Sequence, residues 1–289
     1  MGRIATTVDE QLDLLRNRGM NLDEPEVKIK EILLDIGYYR LGFYWSSFTV
    51  NRDHNFKQGT KFSDVIKLYY FDVDLRNLLL KYLKRIEINF RTKVIYHVSN
   101  KYPDSPAWFV DPNVMKKSSI DSFPKLYNKK FKNSNQPIKN HHKKYVNDKY
   151  APAWKTLEFM TFGAINNIFQ SLKDLPLRRG IASQYDINSI SKFNSLMDTL
   201  VFLRNSCAHS GVIFDLRKAE GIKSCTGLNY VNNDQYSLGT MMDVLRIILS
   251  KVSKNREAEF IQELTQICDN ALENNELGTI LVTNNVVQR

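Results

Sequence analysis

Apolar residues along the chain recur mainly at intervals of three and four, and no run alternates as a half-buried strand would. This pattern predicts an all-α protein. Helices are expected over 7–18, with Asp9 and Glu10 in the opening turn, and over 24–35, with Pro25 at a permissive early position; Gly19 and Gly37 end them. The aromatic-rich stretch from Tyr38 to Trp45, continuing through Phe48, reads as a packed cap. Ser63 is placed to cap a long helix from Asp64 to about Ser99, along which Val65, Leu68, Leu75, Leu79, Leu83, Ile86, Phe90 and Val94 drift around one face. Pro103, Pro106 and Pro112 mark a loop. Further helices are expected over 156–173, with an interruption near Gly163, over 178–185, from Asn188 or Ser189 to His209, over 238–253 and over 257–275, and residues 278–289 read as a loose tail. No repeat and no Gly/Ser-rich linker divides the chain. The expected organisation is a helical and aromatic cap over 1–62, a bundle over 63–256 with a basic insertion at 116–153, and a C-terminal helix and tail over 257–289.

Composition adds little to this until charge is mapped. With 43% apolar and 11% aromatic residues the chain belongs with folded globular proteins, and its three cysteines, Cys207, Cys225 and Cys268, are too few and too scattered for a disulfide framework or a CxxC metal site. No apolar run reaches a membrane span, and residues 1–20 lack a signal-peptide core, so a cytoplasmic location without membrane partners is expected. The net charge of +10 is concentrated: between Lys116 and Lys155 lie eleven lysines against Asp121 and Asp148, which accounts for nine of those charges. Phe123, Tyr127, Phe131, Tyr145, Tyr150 and Trp154 are interleaved with them, a mixture suited to phosphates and unpaired bases. RNA is therefore the expected partner, with Lys129, Lys130, Lys132, Lys139, His141, His142, Lys143 and Lys144 as contact residues. The competing reading is a solvated insertion whose Phe123, Tyr127 and Phe131, at i, i+4 and i+8, simply dock a short helix on the core.

Candidate chemistry is sparse because the chain has five histidines: His54, His97, His141, His142 and His209. Two follow an arginine at short range, His97 after Arg91 and His209 after Arg204. Given 15 arginines and 5 histidines, such spacings arise by chance about 0.8 times in a chain of this length, so context must choose between them. Arg204, Asn205 and His209 close a strongly apolar helical segment, where side chains can reach solvent and substrate together. An arginine, an amide and an imidazole clustered there can bind a phosphate, stabilise developing charge and move a proton at neutral pH. The ordinary alternative is a helix-terminal histidine near the last carbonyls and an arginine in a salt bridge.

Read in order, several blocks resemble the Abi-like abortive-infection proteins of the AbiD/AbiF type, whose core is a HEPN domain related to type VI CRISPR ribonucleases. They are Gly37 to Leu41 with Tyr44 and Trp45; Phe56 to Thr60 with Phe62; Leu68 to Asp72 through Arg76; Ile86 to Ile88 with Arg91 and Thr92; Trp154 with Leu157 and Glu158; Thr161 to Gly163; Ile181 and Ala182; and Arg204 and Asn205 leading to Cys207, Ala208 and His209. The resemblance covers about residues 7–255. It implies a HEPN-like helical bundle in which 204–209 is the catalytic motif, Glu87 and Arg91 lie nearby, and two motifs meet across a homodimer. The implied reaction is cofactor-free and metal-independent: attack of a ribose 2′-hydroxyl on the adjacent phosphate leaves a 2′,3′-cyclic phosphate, with His209 as acid/base, Arg204 as charge stabiliser and Asn205 orienting them. Arg91 to His97 would be a second, degenerate motif or a supporting element. Many relatives carry a second histidine after the motif histidine, where this chain has Ser210. The resemblance also implies a toxin of phage defence restrained by a noncoding RNA or an antitoxin protein. A non-catalytic protein that holds a structured noncoding RNA is the alternative.

Overall fold

A computed structural model describes residues 4–50 and 54–287 of the 289-residue chain. Fourteen α-helices are present among the described residues, and β-structure is limited there to isolated bridges. The N-terminal layer contains α1 (Val8–Asn17), α2 (Glu26–Ile32) and α3 (Tyr38–Trp45). Thr7 and Glu10 form a reciprocal cap on α1, the Thr7 backbone N–H donating to Glu10 Oε2 at 2.7 Å and the Glu10 backbone N–H to Thr7 Oγ1 at 3.3 Å. Helix α2 does not run on as one regular helix. It passes into a π-helical turn over Leu33–Gly37, and Gly37, at φ +93°, then redirects the chain into α3.

Helix α4 (Phe62–Lys101) is the axis of the molecule, 40 residues and so about 60 Å long at the α-helical rise. Ser63 does not cap it. The helix starts at Phe62, two residues before the expected Asp64, and Asp23 from the preceding loop takes both the Ser63 N–H, at 3.0 Å, and its hydroxyl, at 2.6 Å. Buried residues fall on most of its circumference, because helices pack along both sides. Helices α11 (Ile190–Ala208), α12 (Leu238–Val252) and α13 (Lys254–Leu272) pack on α4, and α9 (Phe162–Ser171) and α10 (Leu175–Ser183) close the bundle toward its C-terminal half. Phe90 of α4 is a hub there, its ring centroid 5.4 Å from Phe169, 6.2 Å from Phe162 and 6.0 Å from Phe193. Gly163 lets α9 approach α11 closely, since a Cβ there would lie 3.4 Å from Val201 Cγ1.

The basic insertion holds α5 (Lys117–Leu126), α6 (Lys129–Ser134) and α7 (Gln136–Lys144), followed by the single turn α8 (Ala153–Thr156). Two backbone hydrogen bonds, Lys116 N–H to the Ser171 carbonyl and Lys173 N–H to the Val114 carbonyl, tie its start to the end of α9. Its aromatic residues divide: Phe123 and Tyr127 are buried, half-buried Tyr150 packs 5.1 Å from the Tyr127 ring, and Tyr145 is exposed. Phe123 and Tyr127 pack inward as the docking reading expects, but not on one helix with Phe131, since α5 stops at Leu126 and Phe131 belongs to α6. The C-terminal segment is a second departure. Residues expected to be a loose tail form α14 (Asn275–Thr283), capped by Asn274 and burying Leu277, Ile280 and Leu281. Gly239 leaves room for the following strand of chain, because a Cβ at this position would come within 3.0 Å of the Asn285 and Val286 carbonyls.

Candidate functional site

Helix α11 is capped at its start by Ser189, whose hydroxyl accepts the Lys192 N–H, and it buries Leu196, Leu200, Leu203 and Cys207 against the bundle. That register leaves Arg204 half-buried and Asn205 and His209 exposed. His209 is the C-cap, with its N–H donating to the Asn205 carbonyl at 3.1 Å. Ser210 follows in the left-handed region at φ +53°, and the Gly211 N–H returns to the Ser206 carbonyl at 3.1 Å, which completes a Schellman closure without a glycine at the left-handed position.

Arg204 turns toward α4. Its Nε lies 3.4 Å from Glu87 Oε2, and its Nη1 donates to Asn205 Oδ1 at 3.3 Å. The other Glu87 oxygen accepts from Arg91 Nη2 at 2.9 Å, the same nitrogen also donates to the Met160 carbonyl at 3.0 Å, and Arg91 Nη1 is 3.7 Å from Glu158. Arg91 Nε is buried without an acceptor among the described residues. Glu87 and Arg91, i and i+4 on α4, are thus joined to Arg204 in one half-buried cluster. Glu158 and the Met160 carbonyl belong to it as well. The chain's spacing gave no sign of these two, because both come from the turn between α8 and α9.

His97 stands apart. It lies 10 positions beyond Glu87 on α4, about 15 Å along the helix axis, and its ring meets the Gln184 side chain from α10. It does not join Arg204 and His209, because a helix that carries Glu87 and Arg91 toward α11 carries His97 a further turn and a half away, to α10.

A second set of side chains holds the chain immediately after His209. Arg40 from α3 donates to the Ser210 carbonyl at 2.9 Å, and Arg76 from α4 donates to the Gly211 carbonyl at 2.9 Å. Asp72, fully buried, accepts the Ile213 and Phe214 N–H groups, both at 2.8 Å, and the Tyr44 hydroxyl at 3.0 Å. Arg76 lies 3.5 Å from the same carboxylate. The sequence did carry a signal for this network: Asp72 and Arg76 interrupt the apolar face that Leu68, Leu75 and Leu79 define, and a charge on such a face needs a partner. Its purpose required the fold.

The lysines of the insertion and its two histidines separate. Lys129, Lys130, Lys139, Lys143 and Lys144 are exposed, and half-buried Lys132 places its ammonium 5.2 Å from the Tyr127 ring centroid. His141 must be removed from the contact surface: its side chain is 3% exposed, with Nε2 3.0 Å from Asp148. His142 is half-buried and its Nε2 is 2.8 Å from the Tyr127 hydroxyl, which also accepts the Ala151 N–H at 2.9 Å. Burial, reinforced by Lys132 and His141, pushes the His142 pKa below the ordinary histidine value. Both imidazoles fasten α7 to its surroundings.

The residues that make these contacts, from Arg40 through Asp72, Glu87 and Arg204 to Phe214, fall within the span 31–215 that matches the family profile of Abi-like proteins. The chain belongs to the Abi-like family. The match covers well over half of the sequence and ends just beyond the segment that Arg40, Asp72 and Arg76 hold. Neither a curated protein nor a solved structure matches the chain. Among the described residues of this Abi-like protein, no three His, Cys, Asp or Glu side chains are gathered to hold a metal ion, and no helix is long and apolar enough to cross a membrane.

Proposed function

We propose that this Abi-like protein is a metal-independent endoribonuclease of the HEPN type acting in phage defence, with Arg204, Asn205 and His209 in its active site. The observation that carries the reading is the conjunction at the end of α11: an exposed imidazole and an arginine held by a buried glutamate, both where a phosphodiester can approach. Had both faced the core, the reading would have had no chemistry to use.

In the proposed reaction the ribose 2′-oxygen forms a bond to the adjacent phosphorus as the bond to the 5′-oxygen breaks. A neutral His209 takes the 2′-hydroxyl proton, and the equivalent imidazole of a second copy, in its protonated form, returns a proton to the leaving 5′-oxygen. Arg204 neutralises charge on the non-bridging oxygens, and Asn205 holds its guanidinium. Glu87 and Arg91 are positioning residues, whereas His97 has no part. Exposed Lys129, Lys130, Lys139, Lys143 and Lys144, with Lys132 beside them, supply phosphate contacts. A noncoding RNA or an antitoxin protein would keep such an enzyme silent in the cytoplasm until infection.

The test is cleavage of total bacterial RNA by RNA-stripped protein in EDTA, alongside His209→Ala. Cyclic-phosphate ends from the wild type alone are expected. Equal cleavage by both would remove His209 from the site; cleavage by neither, with a discrete RNA retained by both, would support the non-catalytic RNA-holding alternative.

A further inference from the structure

The three tryptophans differ in their surroundings. Trp45 and Trp108 are buried, and Trp108 donates its indole N–H to Ser99 Oγ at 3.0 Å, whereas Trp154 is 53% exposed. An exposed indole offers a flat π-face on which a nucleic-acid base can stack. The backbone that carries Trp154 is well held. On α8, the Ala153 N–H donates to the Pro106 carbonyl at 2.7 Å and the Thr156 hydroxyl to the Ala151 carbonyl at 2.7 Å, and Ala153 and Thr156 are themselves buried.

The position of α8 relates this ring to the candidate site. Glu158, four residues after Trp154 in the turn that follows α8, lies 3.7 Å from Arg91, which shares Glu87 with Arg204. Helix α8 also packs against α7, which carries exposed Lys139, Lys143 and Lys144. The segment that carries exposed Trp154 is therefore joined both to lysine-bearing α7 and, through Glu158, to the arginine cluster.

We infer that Trp154 is a stacking platform for an unpaired base of a single-stranded RNA whose backbone runs from the lysines of α7 to the Arg204 end of α11. The inference rests on the proposed reading that RNA is handled at that end. Charge selects the occupant. A polyanion is drawn to a face that carries exposed Lys139, Lys143 and Lys144. Strandedness follows from the ring: an indole needs an open π-face, and a duplex keeps its bases stacked on one another.

Because the other two tryptophans are buried, the emission of exposed tryptophan reports Trp154 alone. The experiment uses full-length protein carrying His209→Ala, titrated with oligouridylate and with an RNA duplex of equal length, while acrylamide quenching is followed. Single strands should quench the exposed emission and shield it from acrylamide. Adding Trp154→Ala should weaken oligouridylate binding about tenfold, in the range found for one stacked base, while Trp154→Phe keeps most of the affinity. Unchanged affinity in Trp154→Ala, equal protection by the duplex, or an RNA-free protein whose tryptophan is shielded in a concentration-dependent way, the mark of a second copy, would each overturn the inference. Failure of the wild type to cleave RNA, with Trp154-dependent binding intact, would sink the nuclease reading and leave this one standing. Cleavage that depends on His209 but binding that ignores Trp154 would do the reverse.

Discussion

Arg204 Nε lies 3.4 Å from Glu87 Oε2, which ties the candidate motif on α11 to the long helix α4. Glu87 is shared, since its other oxygen holds Arg91 at 2.9 Å. Replacing it with glutamine removes the negative charge that the two arginines share. Glu87→Gln should cost about 1–3 kcal/mol of stability, the range for a largely buried charged hydrogen-bond partner, read by urea denaturation. If the nuclease reading holds, turnover should fall more than RNA affinity, because Arg204 loses its orientation while local positive charge increases.

Asp72→Asn tests the hold on the chain after His209. The amide oxygen can still accept the Ile213 and Phe214 N–H groups, but its NH₂ then faces Arg76 instead of pairing with it. A destabilisation of about 2–4 kcal/mol is expected from breaking a buried charged pair. Amides of 210–214 should exchange faster with solvent, and the RNA dissociation constant should stay near its wild-type value because the basic insertion lies elsewhere.

Lys129, Lys130, Lys143 and Lys144 are exposed, so changing all four to glutamate should leave the fold unchanged by circular dichroism. RNA affinity should fall, and the salt dependence of binding should flatten by about 0.7 in the logarithmic slope for each phosphate that a lysine no longer neutralises. An unaltered slope would place the RNA elsewhere on the protein.

His142 predicts a pH dependence of the insertion. Tyr127 accepts the Ala151 N–H and can donate to His142 Nε2 only if that nitrogen is unprotonated. The folded-state pKa is lowered, chiefly by burial. The unfolded chain therefore takes up a proton first as pH falls, and this contribution to stability is present above the unfolded value of about 6.5 and is lost below it, as pH drops toward the folded pKa. Thermal unfolding followed from pH 8 to 5 should show the decline, and His142→Gln should reduce it; a decline of the same size in the variant would assign it to other groups.

Much of the helical architecture could be read from spacing, because residues that must face a core repeat with the helix. Ile190–Ala208 was legible from its apolar run and its polar cap, and so was solvent access at its end, where Asn205 and His209 are exposed. Local sequence misled where a distant residue intervened. Ser63 resembles a cap, but Asp23 takes its hydroxyl; the C-terminal segment resembles a loose tail, but Leu277, Ile280 and Leu281 are buried by the fold. The lysine-rich insertion showed its charge plainly and not the direction of its rings, since charge patterning is blind to which side of a short helix is covered.

What the sequence determined by itself is the helical class, the location of the positive charge and the block order that marks an Abi-like protein, all properties carried by neighbours along the chain. Tertiary structure decided which charges meet. Arg204 is joined to Glu87 and Arg91, while His97 is carried away to α10, because a straight helix displaces each residue by a fixed rise and only the crossing of α11 selects which of them it touches. The same holds for Asp72, whose two backbone donors lie 141 and 142 positions away: a buried carboxylate announces that it needs donors, and only the path of the folded chain supplies them.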